Sequence, residues 1–233
     1  MQGHEPPGKL DSRFRGHYGY VLGSLLSILA IYPFVGEGGW LNWALDLSFL
    51  AVILSCFLVS LGRRVWRIIL VLAVVAEVVS LIAEFLGADF FQSPGRVLRV
   101  LVLIAAMIIV LRDVLNSRRV TMDTIFAAAS VYLLMALVWS SVYIALEALN
   151  PGSFNLKTIG GPGDMTKAAQ LMYFSLISLT TVGYGDITPA SPQASMLAAL
   201  EGVIGQLYIA IILARLVAME LTGRRRRNGA EDS

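Results

Sequence analysis

The stretch Thr180-Thr181-Val182-Gly183-Tyr184-Gly185-Asp186 decides the interpretation of this sequence. It follows a twelve-residue apolar run, AAQLMYFSLISL at residues 168–179, which Thr166 is suited to cap as a helix. Twelve helical residues rise about 18 Å, roughly half the thickness of a bilayer. We expect this helix to enter a membrane and to return as irregular backbone, which is tolerated at that depth only inside protein or along a water-filled path.

Apolar stretches on both sides of this segment predict a membrane protein. Of the 233 residues, 57% are hydrophobic and 15% are charged, whereas soluble domains carry about 25% charged residues. Each membrane helix needs roughly 20 apolar residues. We predict an all-α membrane protein with one re-entrant helix between the last two of six transmembrane helices. These six lie at residues 18–35, 41–61, 65–86, 97–111, 121–149 and 193–221.

The basic residues predict the orientation of the chain. Short cytoplasmic loops hold an excess of Lys and Arg. All 18 basic residues except Arg96, Arg99, Lys157 and Lys167 fall on one side of the six-helix layout. We therefore expect a multi-pass protein of the plasma or inner membrane, with both termini in the cytoplasm and residues 150–192 outside.

Charge and composition argue against several other classes of protein. The net charge of +2 predicts no nucleic-acid partner. Cys56 is the single cysteine, so the sequence contains neither an intrachain disulfide framework nor a paired-cysteine metal site. No nucleophile–base pair and no metal-ligand spacing is apparent, so we expect neither an enzyme nor a cofactor.

Residues Thr181–Asp186 match the TVGYGD signature of the potassium channel family, and the half-length helix before them matches its context. The sequence therefore resembles a potassium channel. The resemblance implies a homotetramer with one central pore, in which potassium ions exchange water for filter oxygens. The selectivity filter so implied is Thr181, Val182, Gly183, Tyr184 and Gly185, and the potassium sites are formed by Thr181, Val182, Gly183 and Tyr184.

The same resemblance implies roles for the residues around the filter. Asp186 would lie at the outer mouth of the pore. Tyr184 would point away from the pore axis and pack against Tyr173 and Phe174, which would support the filter. Some relatives carry a Glu four residues before the filter Thr, but Ile177 stands there in this sequence. Gating that depends on such a Glu is therefore not expected.

The last predicted span contains two residues of interest. Ser191 is suited to cap it, with Pro192 at the first helical position. Gly205 resembles the gating hinge of the family's inner helix. Close packing against the re-entrant helix is the alternative, because small residues favour helix contacts in membranes.

Glu201 lies one turn before Gly205, at a depth where an ionisable residue is a functional candidate. In one interpretation it supports the filter by bonding to Ser178, Ser140 or Ser141. In the other it is protonated and only structural.

The fourth predicted span carries an incomplete voltage sensor. Arg96 and Arg99 are three residues apart, but Val102 and Ala105 occupy the next positions in register. A charge that crosses the membrane field contributes about 2.3 kcal/mol per 100 mV, so several arginines are needed. We expect weak voltage dependence.

The predicted layout divides the chain into four parts. The parts are a cytoplasmic N-terminal segment (1–17), a sensor-like four-helix domain (18–116), a pore domain (117–222) and a basic cytoplasmic tail (223–233). Nine residues, 112–120, join the fourth and fifth predicted spans and reach about 14 Å as a helix, so we expect the first four helices to pack against the pore helices of their own chain.

The basic tail has two interpretations. It either binds anionic lipid or extends non-specifically toward lipid phosphates through Arg224, Arg225, Arg226 and Arg227.

A non-selective cation channel and a non-conducting regulatory membrane subunit are the alternative functions. Tyr184 argues against the first of them, because non-selective relatives tend to lose this tyrosine.

Overall fold

The computed structural model describes residues 18–32, 47, 50–52, 54–55, 71, 75, 92–117, 120–157 and 165–231, with the backbone alone for 92–99 and 223–231. Helices dominate these residues. In chain order they are α1 (Tyr18–Ile31), α2 (Gln92–Asn116), α3 (Met122–Leu149), α4 (Lys167–Leu179) and α5 (Pro192–Glu231). Two short strands, β1 (Phe154–Asn155) and β2 (Thr188–Pro189), flank α4.

Two helices among the described residues are long and apolar enough to cross a membrane, at 122–149 and 192–222. α3 begins after Thr121, whose side chain accepts a hydrogen bond from Thr124 N at 3.2 Å. α5 begins at Pro192 because the Ser191 side chain accepts a hydrogen bond from Ala194 N at 3.2 Å. Both beginnings lie within one residue of the predicted spans.

α4 is the half-length helix predicted before the signature stretch. The Thr166 side chain caps it by accepting a hydrogen bond from Ala169 N at 3.2 Å, as predicted. Its 13 residues are too few to cross a bilayer. α4 packs against both α3 and α5, and its last helical residue is Leu179.

α1 and α2 pack against α3 of the same chain. α1 contributes Val21, Leu25 and Ile28, whose spacing of four and three residues places them on one helical face, where all are fully buried. The hydroxyl of Tyr18 donates to Asp113 Oδ2 at 2.8 Å and joins α1 to α2. Both helices thus contact α3 within one chain, whereas the packing of the first four predicted helices in an assembly stays a prediction.

The turn after α3 is ordered by a carboxylate. The two oxygens of Glu147 accept hydrogen bonds from Gly152 N at 2.9 Å and from Phe154 N at 3.1 Å. β1 then pairs antiparallel with β2, with Phe154 opposite Pro189. The described structure is mostly helical, as predicted, and this two-residue backbone pairing between the segments that flank α4 is an addition that the prediction did not contain.

Several helix limits differ from the predicted spans. α2 extends beyond 97–111 in both directions, because charged and polar residues continue a helix outside its apolar section. α5 continues through the arginine-rich segment to Glu231 rather than ending at 221, and arginine favours helix. The predicted spans at 41–61 and 65–86 lie outside the described residues, apart from isolated helical positions.

The connection between α2 and α3 is shorter than predicted, because α2 continues to Asn116. Arg215 of α5 contacts both the last turn of α2 and the first residue of this connection. Its Nη2 donates to the carbonyl of Leu115 and, at 3.2 Å, to that of Ser117. The C-terminal half of α5 is therefore joined directly to the end of α2.

Candidate functional site

Residues 180–186, which we call the signature segment, leave α4 in a tight turn. Backbone amides of this segment return to carbonyls of the last turn of α4: Thr181 N donates to Ser178 O at 3.0 Å, and Gly183 N donates to Ile177 O at 3.1 Å. These bonds satisfy carbonyls that a helix end would leave unpaired. The start of the segment is thus fixed to the end of α4.

The backbone of the signature segment adopts conformations that favour glycine. Gly183 has φ +52° and Gly185 has φ +78°, a region that a Cβ disfavours. Thr181 has φ +60° and is the one non-glycine residue with positive φ in the described part of the chain. A β-branched residue in this region is strained by about 1–3 kcal/mol. Such strain occurs where function constrains the backbone.

The signature segment is exposed within a single chain. Val182 is 52% exposed and Tyr184 is 72% exposed. Irregular backbone within a bilayer must be covered by protein or line a water-filled path. The contacts of one chain do not supply that cover.

Two stacked tyrosines, one from α3 and one from α5, lie near the end of α4. The hydroxyl of Tyr132 donates to Leu179 O at 2.8 Å, and that of Tyr208 donates to Ala128 O at 2.7 Å. The two rings stack with centroids 6.1 Å apart. Each tyrosine hydroxyl thus bonds to a backbone carbonyl of another helix, which ties α3 to both α4 and α5.

Gly205 lies against the same end of α4. A Cβ at this position would approach Leu179 Cδ1 at 2.7 Å and Leu179 O at 3.0 Å. The helix α5 runs through Gly205 without a break. Close packing, the alternative in the sequence interpretation, therefore accounts for this glycine, and the role of a gating hinge stays a prediction.

Glu201 is fully buried between α5, α4 and α3. Its Oε1 lies 2.5 Å from the Ser175 hydroxyl, and its Oε2 lies 2.5 Å from the Tyr143 hydroxyl. The Ser175 hydroxyl also lies 2.9 Å from the carbonyl oxygen of Ala136. A side chain of the last span is thus bonded to the helix that precedes the signature segment.

The predicted partners of Glu201 are wrong. The hydroxyls of Ser140 and Ser141 instead donate to Leu137 O of their own helix. On α4 the partner is Ser175, one turn before the predicted Ser178, because Ser175 is the serine that faces the interior. Which of two serines one turn apart meets Glu201 depends on how α5 crosses α4, and sequence spacing does not contain that information.

Phe174 belongs to an aromatic cluster on the side of α4 that faces α3 and β1. Its ring packs edge-on against Tyr143 at 5.4 Å and Phe154 at 5.3 Å. Tyr143 and Phe154 are themselves 5.2 Å apart. The predicted packing of Tyr184 against Phe174 is therefore not found within one chain, because Phe174 faces α3 and β1.

Tyr173 lies on the side of α4 that faces Asp186. Its hydroxyl lies 3.2 Å from each carboxylate oxygen of Asp186 and can donate its one proton to either, and Lys157 Nζ donates to Oδ2 at 3.1 Å. Gln170 holds the Lys157 backbone through an amide-to-amide pair at 2.8 and 3.2 Å. The sequence interpretation missed Lys157 as a partner, because it is 29 residues from Asp186 along the chain.

The surroundings of Asp186 favour its charged form. Partial desolvation alone would raise the pKa of this carboxyl group. The hydrogen bond from Lys157, a hydrogen bond from the backbone of Asp186 itself, the positive charge of Lys157 and, least, the hydrogen bond from Tyr173 together hold the pKa below its ordinary value. The group is exposed, so this effect concerns charge at the site and not the stability of the fold. Among the described residues, no cluster of His, Cys, Asp or Glu is suited to bind a metal ion.

Comparison with known proteins shows what this part of the chain is similar to. Residues 120–221, which include α3, α4, the signature segment and most of α5, match a family described as "Ion channel". This part of the chain is thus similar to an ion channel family, in agreement with the resemblance to potassium channels noted in the sequence. The match and the two membrane-length helices at 122–149 and 192–222 agree with the predicted membrane protein.

Two relatives show how far the similarity extends. "Two pore potassium channel c" of Oryza sativa subsp. japonica is 32% identical over 88 residues, which are 38% of this chain and 18% of that protein. "Protein LctB" of Bacillus caldotenax is 26% identical over 102 residues, which are 43% of this chain and 75% of that protein. The chain thus spans less than a fifth of the rice channel but most of the bacterial protein.

Proposed function

We propose that this chain forms a potassium-selective channel, in which residues 181–185 of four identical chains form the filter. The observation that carries the proposal is the signature segment itself. It follows a capped half-length helix, has positive φ at both glycines, and is exposed in a single chain although it lies next to membrane-length helices. Neighbouring copies around a symmetry axis would supply the missing cover.

The proposed mechanism follows from the chemistry of dehydration. A potassium ion in a narrow pore exchanges its water shell for backbone carbonyls of Thr181, Val182, Gly183 and Tyr184, together with the Thr181 hydroxyl. One strand cannot surround an ion, whereas four strands can. The carboxyl end of α4 carries a partial negative charge, and four such ends would stabilise a cation at mid-membrane. Asp186 would attract cations at the outer mouth.

The proposal includes a membrane topology. We propose six transmembrane helices, a re-entrant α4 and both termini in the cytoplasm, with the first four helices packed against the pore helices of their own chain. The arginines at 224–227, whose side chains lie outside those described, would face anionic lipid. With at most Arg96 and Arg99 able to move in the membrane field, opening would depend weakly on voltage.

The filter is tested by replacing Tyr184 with aspartate and measuring cation flux into proteoliposomes. We expect the wild-type chain to carry potassium and to exclude sodium, because its filter contains every residue whose carbonyl oxygen would bind the ion. We expect Tyr184→Asp to lose this preference, because a short charged side chain cannot pack against neighbouring groups and hold the filter diameter.

Each result of this flux assay has a distinct meaning. Equal sodium and potassium flux through the wild-type chain would contradict selectivity and favour a non-selective cation channel. No flux of either ion through the correctly assembled wild-type protein would favour a non-conducting membrane subunit. Wild-type selectivity in Tyr184→Asp would show that residues 181–185 are not the filter.

The outer-mouth ion pair gives a second expectation, which concerns external pH. Because Lys157 helps to hold the pKa of Asp186 below its ordinary value, the ion pair persists as pH falls and is lost only when the pH passes through that lowered value. In Lys157→Met the carboxylate takes up its proton at a higher pH. We expect the acid decline of potassium current to begin at a higher external pH in this variant.

Lys167→Met is the matched control, because Lys167 is also an exposed lysine on the same predicted side of the membrane. Its acid titration of current should coincide with that of the wild-type channel. Superimposable curves for Lys157→Met and the wild type would contradict the assignment of Lys157 as the partner that keeps Asp186 charged.

A further inference from the structure

We propose that Glu201 is a neutral carboxylic acid that donates its own proton to Ser175, and that this bond fixes the distance between α4 and α5 behind the filter. The proposal deepens the proposed channel function, on which its functional part rests. It assigns Glu201 as a positioning residue for the filter. The protonation of Glu201 follows from its contacts and does not depend on conduction.

Four groups share too few protons for their contacts unless Glu201 carries one. Three contacts join them: Tyr143 to Glu201 at 2.5 Å, Ser175 to Glu201 at 2.5 Å, and Ser175 to the carbonyl of Ala136 at 2.9 Å. Each hydrogen bond needs one proton. The Tyr143 and Ser175 hydroxyls supply one each, and a carbonyl supplies none. Two protons cannot form three hydrogen bonds.

The third proton belongs to Glu201. The Ala136 carbonyl can only accept, so Ser175 donates to it and has no proton left for the carboxyl group. The contact between Ser175 and Glu201 Oε1 then requires a proton on Oε1, donated to Ser175. Tyr143 donates to Oε2. With Glu201 protonated, every contact has one donor and one acceptor.

The surroundings of Glu201 agree with a neutral group. The side chain is 0% exposed, and its hydrogen-bond partners are two hydroxyl groups rather than a cation. A buried charge without a partner of opposite sign is strongly unfavourable. An ionised Glu201 would also draw the Ser175 proton away from Ala136 and leave that contact without a hydrogen.

The four groups join three helices close to the filter. Ala136 and Tyr143 belong to α3, Ser175 to α4 and Glu201 to α5. Ser175 is one turn from the end of α4, where Gly205 already packs against Leu179. The chain Tyr143–Glu201–Ser175–Ala136 therefore sets the position of α4, and through α4 that of the signature segment.

The substitution Glu201→Gln separates a neutral acid from a carboxylate. A glutamine amide presents one acceptor to Tyr143 and a donor to Ser175, as a protonated glutamate does. We expect Glu201→Gln to keep wild-type thermal stability, potassium flux and selectivity. Glu201→Leu leaves the buried hydroxyl of Tyr143 without an acceptor, and we expect potassium flux to fall at least about tenfold.

Isotope-edited infrared spectroscopy detects the proton on the Glu201 carboxyl group directly. The full-length protein, labelled with ¹³C at the glutamate side-chain carboxyl, should show a protonated-carboxyl band at neutral pH that is absent from Glu201→Gln. Ser140→Ala is the matched control for the loss of a buried serine hydroxyl, because Ser140 bonds within its own helix. It should leave both the band and the flux unchanged.

The outcomes separate this proposal from the proposed function. Absence of the band in the wild-type protein would overturn the proposal, and so would a Glu201→Gln protein as impaired as Glu201→Leu. If Glu201→Leu fails to assemble, the infrared band and the behaviour of Glu201→Gln still show whether Glu201 is protonated. If the wild-type protein conducts no ions, the channel function fails, whereas the infrared band and the thermal stability of Glu201→Gln still test the proton.

Discussion

Replacing Gly185 with alanine is expected to abolish potassium conduction, although the protein should still fold. Gly185 has φ +78°, and no atom lies within 4 Å of the position where a Cβ would be placed in a single chain. The effect therefore arises from the backbone and not from a clash. An L-residue in this conformation is unfavourable by about 1–2 kcal/mol, and the channel would contain four copies. The backbone would relax by rotating peptides, which turns carbonyl oxygens away from the ions.

Gly152→Ala is the matched control for this experiment. Gly152 has φ +86° and equally open surroundings, but it lies in the turn after α3. It tests whether backbone strain by itself impairs the protein. Flux into proteoliposomes should fall to background for Gly185→Ala and stay close to wild type for Gly152→Ala. Equal losses in both variants would mean that general destabilisation, rather than disruption of the filter, causes the effect.

The second large effect is expected from Gly205→Ala. The new Cβ would lie 2.7 Å from Leu179 Cδ1 and 3.0 Å from Leu179 O. The leucine side chain can rotate away, but its carbonyl is fixed by the Tyr132 hydroxyl. Overpacking of this kind is unfavourable by about 1–3 kcal/mol in each chain. We expect a lower thermal unfolding temperature of the assembled protein and a marked loss of potassium flux.

Gly202→Ala distinguishes packing from helix flexibility. Gly202 lies in the same helix, and its Cβ would meet Ser178 O at 3.9 Å, an ordinary contact. Alanine favours helix over glycine by about 1 kcal/mol, so this variant should be as stable as the wild type or slightly more stable. A Gly205→Ala protein of unchanged stability whose channel opens less often would support the gating hinge instead of close packing.

Local features of the fold were predictable because they depend on neighbouring residues. The caps at Thr166 and Ser191 require only a side-chain oxygen near the first free amides of a helix. The end of α4 at Leu179 was predictable because the next residues form the TVGYGD signature. The positive φ of Gly183 and Gly185 follows from the same six residues. Each of these features lies within a few residues of its cause.

Contacts between distant residues could not be predicted in the same way. The choice of Ser175 over Ser178 as partner of Glu201 depends on the crossing of two helices. The ion pair between Lys157 and Asp186 depends on the β1–β2 pairing, whose strands have only two residues each. The direction of Phe174 was wrong because adjacent residues on a helix face different neighbours. Each of these outcomes depends on packing between elements, which spacing along the chain does not encode.

The reversal potential of the wild-type channel under bi-ionic conditions tests the central claim most directly. The purified full-length protein would be reconstituted in a planar bilayer with potassium on one side and sodium at equal concentration on the other. A filter formed by residues 181–185 predicts a reversal potential set by the potassium gradient, with sodium contributing little current. A reversal potential near zero would mean that the two ions permeate equally, and it would contradict the account of this protein as a potassium-selective channel.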